Sequence, residues 1–200
     1  RAMSRSVPDS RVWVVGAGLQ GCATALELAH RGQPVVLLDQ DALPMNRASL
    51  RNEGKIHLGL IYAADASGAT ARVQLRGALV FQHLLERWLG RPVAAALPLS
   101  TPFAYLVARD SVLPAPTLAR HFDPVQALYK HWMTQHPEAS YLGQRPTRLA
   151  WPASRDEHQG LVLAPGESVF TTAERAIDTD ALAAALRRAV ITHPLIDWLP

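Results

Sequence analysis

The stretch Arg11-Val12-Trp13-Val14-Val15-Gly16-Ala17-Gly18-Leu19-Gln20-Gly21 decides the fold. An apolar run ends in a G-x-G-x-x-G turn, which opens a helix-forming segment from Leu19 to His30. A second apolar run, Pro34-Val35-Val36-Leu37-Leu38, ends on Asp39. Strand, glycine turn, helix, strand and acid come in the order of a dinucleotide-binding βαβ unit, with the acid about 20 residues past the glycines. Each position has a physical reason. Gly16 lets the chain turn sharply out of its strand. Gly18 lets backbone approach a pyrophosphate, and Gly21 lets the helix sit tight against the sheet. The free N–H groups at the helix start, and the helix dipole, favour an anion there. A carboxylate at Asp39 accepts hydrogen bonds from ribose hydroxyls and repels a 2′-phosphate, which disfavours NADP.

Composition narrows the classes. The 200 residues suit one large domain or a domain and a half. With 48% hydrophobic and 18% charged residues, the chain has the make-up of an ordinary globular protein. The net charge of +3 is spread over arginines without a basic block, so the stripe that nucleic-acid binding calls for is missing. Cys22 is the single cysteine, expected as a small apolar residue packed on the sheet. His131 and His136 have no acid or cysteine to complete a metal set, so no metal is expected. No stretch reaches the roughly 18 apolar residues of a bilayer span. Arg1 to Ser10 lacks the apolar region of a secretory signal. These readings predict a cytoplasmic protein acting on a small molecule, with no nucleic acid and no membrane partner.

Beyond Asp39, a polar loop leads into Ala48 to Tyr62, which crowds Ser, Arg, Asn, Glu, Lys and His around two glycines. Such mixtures in an α/β protein line sites, because loops at strand C-termini carry function. A helix is expected over Ala69 to Leu89, with Val73, Gly77, Val80, Leu84 and Trp88 on one face and Gly90-Arg91-Pro92 as its stop. Phe103 to Ala108 reads as a strand. Pro124 to His136 reads as a short helix with Pro124 in its first turn. Short strands are expected near Thr147 to Ala150, Gly160 to Leu163 and Ser168 to Thr172. Asp178-Thr179-Asp180 then opens an alanine-rich helix with a basic end. Only two strands of a parallel sheet are legible, which leaves apolar sheet surface and an unpaired edge. The chain is therefore expected to be the N-terminal part of a larger folding unit.

The glycine turn, Asp39, the loop Ser49 to Gly59 and the late segment Thr172-Ala173-Glu174-Arg175-Ala176-Ile177-Asp178 resemble the FAD-dependent oxidoreductases of the D-amino-acid oxidase and glycine oxidase type. That family's "NxGxIHxG" segment reads here Asn52-Glu53-Gly54-Lys55-Ile56-His57-Leu58-Gly59. The resemblance implies an α/β fold: a Rossmann-like FAD-binding domain, opened by the βαβ unit, with an interleaved α+β substrate domain. The C-terminal part of that fold is not in this sequence. By this resemblance residues 1–90 begin the FAD-binding domain, 91–176 form the substrate-domain insertion, and 177–200 return toward the second FAD-domain part.

Carried over by position, the resemblance places Gly16, Gly18, Gln20 and Gly21 at the pyrophosphate and Asp39 at the adenosine ribose. Gln40 falls on the adenine side. Arg47 and Ser49 meet the diphosphate and ribityl chain, with Arg51 beside them. Asn52, Glu53, Gly54, Lys55 and Ile56 run along the flavin ring. His57 is the candidate catalytic residue, facing the flavin, tuning it or attaching to it. Its competing role is a hydrogen-bonded histidine that supports the loop. Tyr105 and Arg109, on the insertion strand and just beyond it, are candidate substrate contacts. No Ser-His-acid arrangement or nucleophile elbow exists, as fits an enzyme whose flavin takes the hydride. The implied function is oxidation of an amine or amino-acid-like substrate with FAD. The alternatives are the same scaffold acting on a C–OH donor, and a non-catalytic half-enzyme that needs the C-terminal segment or a second chain.

Overall fold

A computed structural model describes residues 10–93, 97–153 and 161–200. In chain order the elements are β1 (Val12–Val15), α1 (Leu19–His30), β2 (Val35–Leu38), β3 (Lys55–Ile56), α2 (Ala69–Leu89), β4 (Ala104–Val107), α3 (Ala115–Gln135), β5 (Ala150–Pro152), β6 (Ser168–Thr172), β7 (Arg175–Ala176), α4 (Thr179–Thr192) and β8 (Ile196–Leu199). They divide into two compact units. One holds Arg1–Glu53, Glu86–Leu97 and Asp178–Pro200; the other holds Gly54–Leu85 and Pro98–Ile177.

The first unit is a parallel sheet in the order β1-β2-β8, with Val12, Val35 and Ile196 in register. Helix α1 packs on β2 and on α4, and α4 packs on β8. The buried side chains are those a two-layer α/β unit requires: Cys22, Ala25 and Leu26 of α1, Val35 and Leu37 of β2, and Leu186 and Val190 of α4. On β1, by contrast, Trp13 is 63% and Val15 86% exposed. Helix α4 starts where its sequence says it should, because the Asp178 carboxylate accepts from Ala181 N at 2.8 Å. Such a cap stabilises a helix by about 1 kcal/mol. The third parallel strand, β8, corrects the two-strand expectation. Ile196-Asp197-Trp198-Leu199 is a short run between Pro194 and Pro200 with an acid inside it, too brief to show a period. Its pairing with β2 makes it a strand.

In the second unit an antiparallel sheet runs β4-β6-β5, and β3 pairs with β7 in a separate antiparallel ribbon. Leu75, Leu79, Phe122, Val125 and Tyr129 of α2 and α3 share a core with Leu58, Leu60 and Phe170. Helix α2 has the expected limits but turns a different face inward. Ala71, Leu75, Ala78, Leu79 and Leu85 are buried, whereas Val73 is 67% exposed. Leu75 and Leu79, larger than Val73 and Gly77 of the expected stripe, win the core at this end of the helix. Helix α3 is also longer than its sequence suggests. It begins at Ala115 and runs through Pro124. An interior proline costs about 3 kcal/mol, which the burial of Phe122, Val125, Tyr129 and Met133 offsets. Strand β5 lies slightly beyond its expected place. Residues 161–163 are not strand, and Gly160 lies outside the described residues.

Candidate functional site

In the first unit the site is built from backbone. Gly16 leaves β1 at φ +96° and its N–H bonds Leu38 O at 2.7 Å, which ties the turn to the end of β2. Gly18 is the N-cap of α1, and the first internal bond of the helix runs from Cys22 N to Gly18 O at 2.9 Å. The amides of Gln20 and Gly21 therefore lie in the helix mouth without an intrahelical acceptor. A Cβ at Gly21 would stand 1.7 Å from Gly16 O, inside backbone that cannot yield. At Gly18 a Cβ would come 3.1 Å from Ser49 Oγ, the end of a side chain. The turn is closed to side chains at its base and lined by donors at its mouth.

Two side chains from the loop after β2, those of Asp39 and Ser49, bond this turn, and Arg47 is held within the loop. Asp39 accepts from Ala17 N at 2.5 Å through one oxygen and from Asp41 N at 3.0 Å through the other. A carboxylate has about four lone-pair sites, so acceptor capacity is left for a sugar hydroxyl. Ser49 Oγ accepts from Leu19 N at 2.9 Å, which leaves its own O–H to donate. Arg47 is clamped by Asp41 in a bidentate pair at 2.7 and 2.8 Å. The hydrogen bond and charge of Arg47 hold the Asp41 carboxyl below its usual range. Arg47 and Arg51 line one open cleft of about 420 Å³ with Asp41, Asn46 and Ala48. The loop is fixed from behind: Met45 N bonds Ala17 O at 2.7 Å, and Arg187 Nε donates to Pro44 O at 2.7 Å. Gln20, Gln40, Asn52 and Glu53 are exposed, and Asn52 Nδ2 donates to Ala48 O and Ser49 O at 3.0 and 3.1 Å. Cys22 is buried beneath the turn, and burial followed by the Asp39 charge pushes its thiol up to about 12.

The second unit holds the rest of the sequence-predicted residues, and two of them, His57 and Tyr105, meet on Glu174, to which the sequence reading gave no role. Glu174 is fully buried. One of its oxygens accepts from Leu58 N at 2.7 Å. The other accepts from the Tyr105 hydroxyl and lies 3.4 Å from His57 Nδ1. Glu174 N in turn donates to Thr172 Oγ1 at 3.2 Å. Gly54, buried at φ +66°, accepts from Ile177 N at 3.0 Å, and Lys55 and Ile56 pair with Ala176 and Arg175. Tyr141 locks this ribbon by donating to Ile56 O at 2.7 Å and accepting from Arg175 N at 2.8 Å. Burial pushes the Tyr141 phenol up to about 12, against the lowering effect of Arg175. Lys55 Nζ sits 5.2 Å over the Phe103 ring. His57 meets Tyr62 edge to face at 6.0 Å. Arg109 stands on the exposed turn after β4. A separate cleft of about 520 Å³ is lined by Arg148, Trp151, Thr171 and Arg175 among others.

Glu174 and Tyr141 are the residues that sequence reasoning missed. Glu174 is the only acid between Ser168 and Ile177, set between β6 and β7. That isolation is the signal, since an acid in a buried stretch must be paired. Among the described residues no cluster of His, Cys, Asp or Glu forms a metal site, and no helix is long and apolar enough to cross a membrane.

Similarity to known proteins extends over both units. Over 80 residues, 40% of this chain, it is 41% identical to the tRNA 5-methylaminomethyl-2-thiouridine biosynthesis bifunctional protein MnmC of Pseudomonas savastanoi pv. phaseolicola. Over 43 residues it is 46% identical to peroxisomal sarcosine oxidase of Mus musculus. These matches span only 12% and 11% of those two proteins. Glycine oxidase from Geobacillus kaustophilus has a similar fold, with a TM-score of 0.60 at 18% identity over 95% of this chain and 46% of its own. Iminodiacetate oxidase from Chelativorans sp. BNC1 superposes with a TM-score of 0.56 at 22% identity, over 94% of this chain and 46% of its own. The chain thus spans about half the length of the solved structures it resembles. A family model described as FAD dependent oxidoreductase matches residues 11–193, so the match runs from β1 past the end of α4, and this chain belongs to the FAD-dependent oxidoreductase family.

Proposed function

We propose that this chain carries the dinucleotide-binding turn and part of the substrate side of an enzyme that oxidises an amine or amino-acid-like substrate, with FAD as acceptor. The observation that carries the reading is the turn itself. Only glycine fits at Gly21, where a Cβ would stand 1.7 Å from Gly16 O, and the neighbouring Ala17 amide of the turn bonds the Asp39 carboxylate. A steric demand this severe, next to a ring of donors, suits a diphosphate and its ribose.

In this reading the amides of Gly18, Gln20 and Gly21 hold the diphosphate, together with the Ser49 hydroxyl. Asp39 takes the ribose hydroxyls, with Gln40 on the adenine side. Arg47 and Arg51 add positive charge at their cleft, and Asn52 to Ile56 contact the ring system. Bound FAD supplies the two-electron acceptor. His57 and Tyr105 are the side chains nearest the chemistry, and the cleft with Arg148 and Arg175 suits a substrate carboxylate. Glycine oxidase and iminodiacetate oxidase, whose names specify amino-acid substrates, support an amine donor. The setting is cytoplasmic, and the remainder of the fold comes from a further segment or a second chain.

Titration of the purified chain with FAD, followed by gel filtration and an absorbance scan, tests the proposal. The expected protein is yellow and keeps its flavin bands through the column. A colourless protein under saturating FAD would overturn it.

A further inference from the structure

We infer that Glu174 is a positioning residue: it fixes His57 as the Nδ1–H tautomer and so presents His57 Nε2 as the proton acceptor for the substrate's N–H. The inference deepens the amine-oxidising reading of this site and rests on it.

The geometry leaves little choice of tautomer. The Glu174 side chain is completely buried, and its carboxylate is an acceptor only. Leu58 N–H occupies one oxygen and the Tyr105 hydroxyl the other, and the second oxygen faces His57 Nδ1 at 3.4 Å. A lone pair on Nδ1 would point at an anion in a medium that does not screen it, whereas an Nδ1–H gives the carboxylate its third donor. The proton of a neutral ring therefore resides on Nδ1, and Nε2 carries the lone pair. Among the described residues no hydrogen bond reaches Nε2, and Trp132 Nε1 is the buried side-chain polar atom without a partner there. The His57 side chain keeps 17% of its surface, so the lone pair is reachable. The edge-to-face contact with Tyr62 steadies the ring plane.

The step balances. Bound FAD would supply the two-electron acceptor for the substrate's C–H hydrogen and its electron pair. The substrate nitrogen gives its N–H proton to His57 Nε2, and its freed electron pair forms the C=N bond. The ring becomes an imidazolium whose charge faces the buried Glu174 carboxylate, which orients and stabilises it without taking a proton.

Long-range ¹H–¹⁵N spectra of the full chain, labelled at histidine, read the tautomer directly, with His57 assigned from the spectrum of His57→Gln. The expected wild-type ring is protonated at Nδ1 and bare at Nε2. Glu174→Gln should shift it to the Nε2–H form, and Glu174→Asp should restore part of the Nδ1–H population. Diethyl pyrocarbonate, which attacks an unprotonated ring nitrogen, should modify His57 about tenfold more slowly in Glu174→Gln. An Nε2–H ring in the wild type overturns the inference even if every variant fails to fold. So does a folded Glu174→Gln with an unchanged tautomer. Flavin uptake is read on the same samples by absorbance. A flavin-loaded protein with an Nε2–H ring overturns this inference alone, whereas a protein that takes up no flavin overturns the functional reading beneath it.

Discussion

At the mouth of α1, in the first unit, the decisive contact is between two backbones, with 1.7 Å between the place of a Gly21 Cβ and Gly16 O. Around Glu174, in the second, it is one carboxylate shared by Leu58 N–H, Tyr105 and His57. The turn is specified by what a residue lacks and the hub by what a residue carries. A backbone site fails outright when a methyl group is added. A side-chain hub fails by degrees, according to how many donors are left without an acceptor.

Gly21→Ala should therefore do the most damage. Overpacking costs about 1–3 kcal/mol where side chains can yield, and here the obstacle is backbone, so a loss above ~4 kcal/mol is expected. Thermal denaturation should show it, together with loss of flavin uptake. Gly18→Ala is the milder control, because Ser49 Oγ at 3.1 Å can rotate away. Next comes Glu174→Ala, which strands the buried Leu58 N–H and the Tyr105 hydroxyl at about 1–3 kcal/mol each. Urea denaturation should place it ~2–6 kcal/mol below wild type.

Asp39→Asn keeps one acceptor and loses the charge. Equilibrium dialysis should find FAD bound ten- to a hundredfold more weakly, since hydrogen bonds to charged groups are worth about 1.5–3 kcal/mol.

A smaller effect is expected at Glu27, where α1 meets the last turn of α2. The Trp88 indole N–H, then Arg31 and Arg87, hold this carboxyl below its ordinary range. A lowered folded-state pKa means the stabilisation is complete above about 4.5, the ordinary value, and is lost as pH falls through the folded value. The gap in melting temperature between wild type and Glu27→Gln should shrink below that pH. The smallest signal is a null one. With its thiol pushed up to about 12 by burial, Cys22 should not react with a disulfide reagent at pH 8 until the chain unfolds.

The two regions are also unequally legible in the sequence. The glycine turn can be read from a single short window, because glycine spacing, a preceding apolar run and a later acid are all local. The same locality explains why the limits of α1 and α2 and the Asp178 cap agree with the structure. The features that escaped depend on partners far along the chain. Strand β8 exists because β2 accepts it, and α3 runs through Pro124 because its apolar face has a core to enter. The inward face of α2 differs from the expected one because periodicity alone does not say which of two apolar stripes finds the larger partners. Glu174 lies 116 residues from Leu58 and 69 from Tyr105, so its hub has no sequence period at all. In the sequence it shows as one acid among strand residues, inside the late segment that carries the family resemblance but with no role of its own.

The decisive experiment monitors the backbone amides of the turn by NMR as FAD is added to the ¹⁵N-labelled chain. The expected result is that Gly18, Gln20 and Gly21 shift more than any other amides of the first unit, with Ala17 beside Asp39 moving after them. FAD binding that leaves those amides where they were would place the diphosphate elsewhere and contradict the role assigned to the turn.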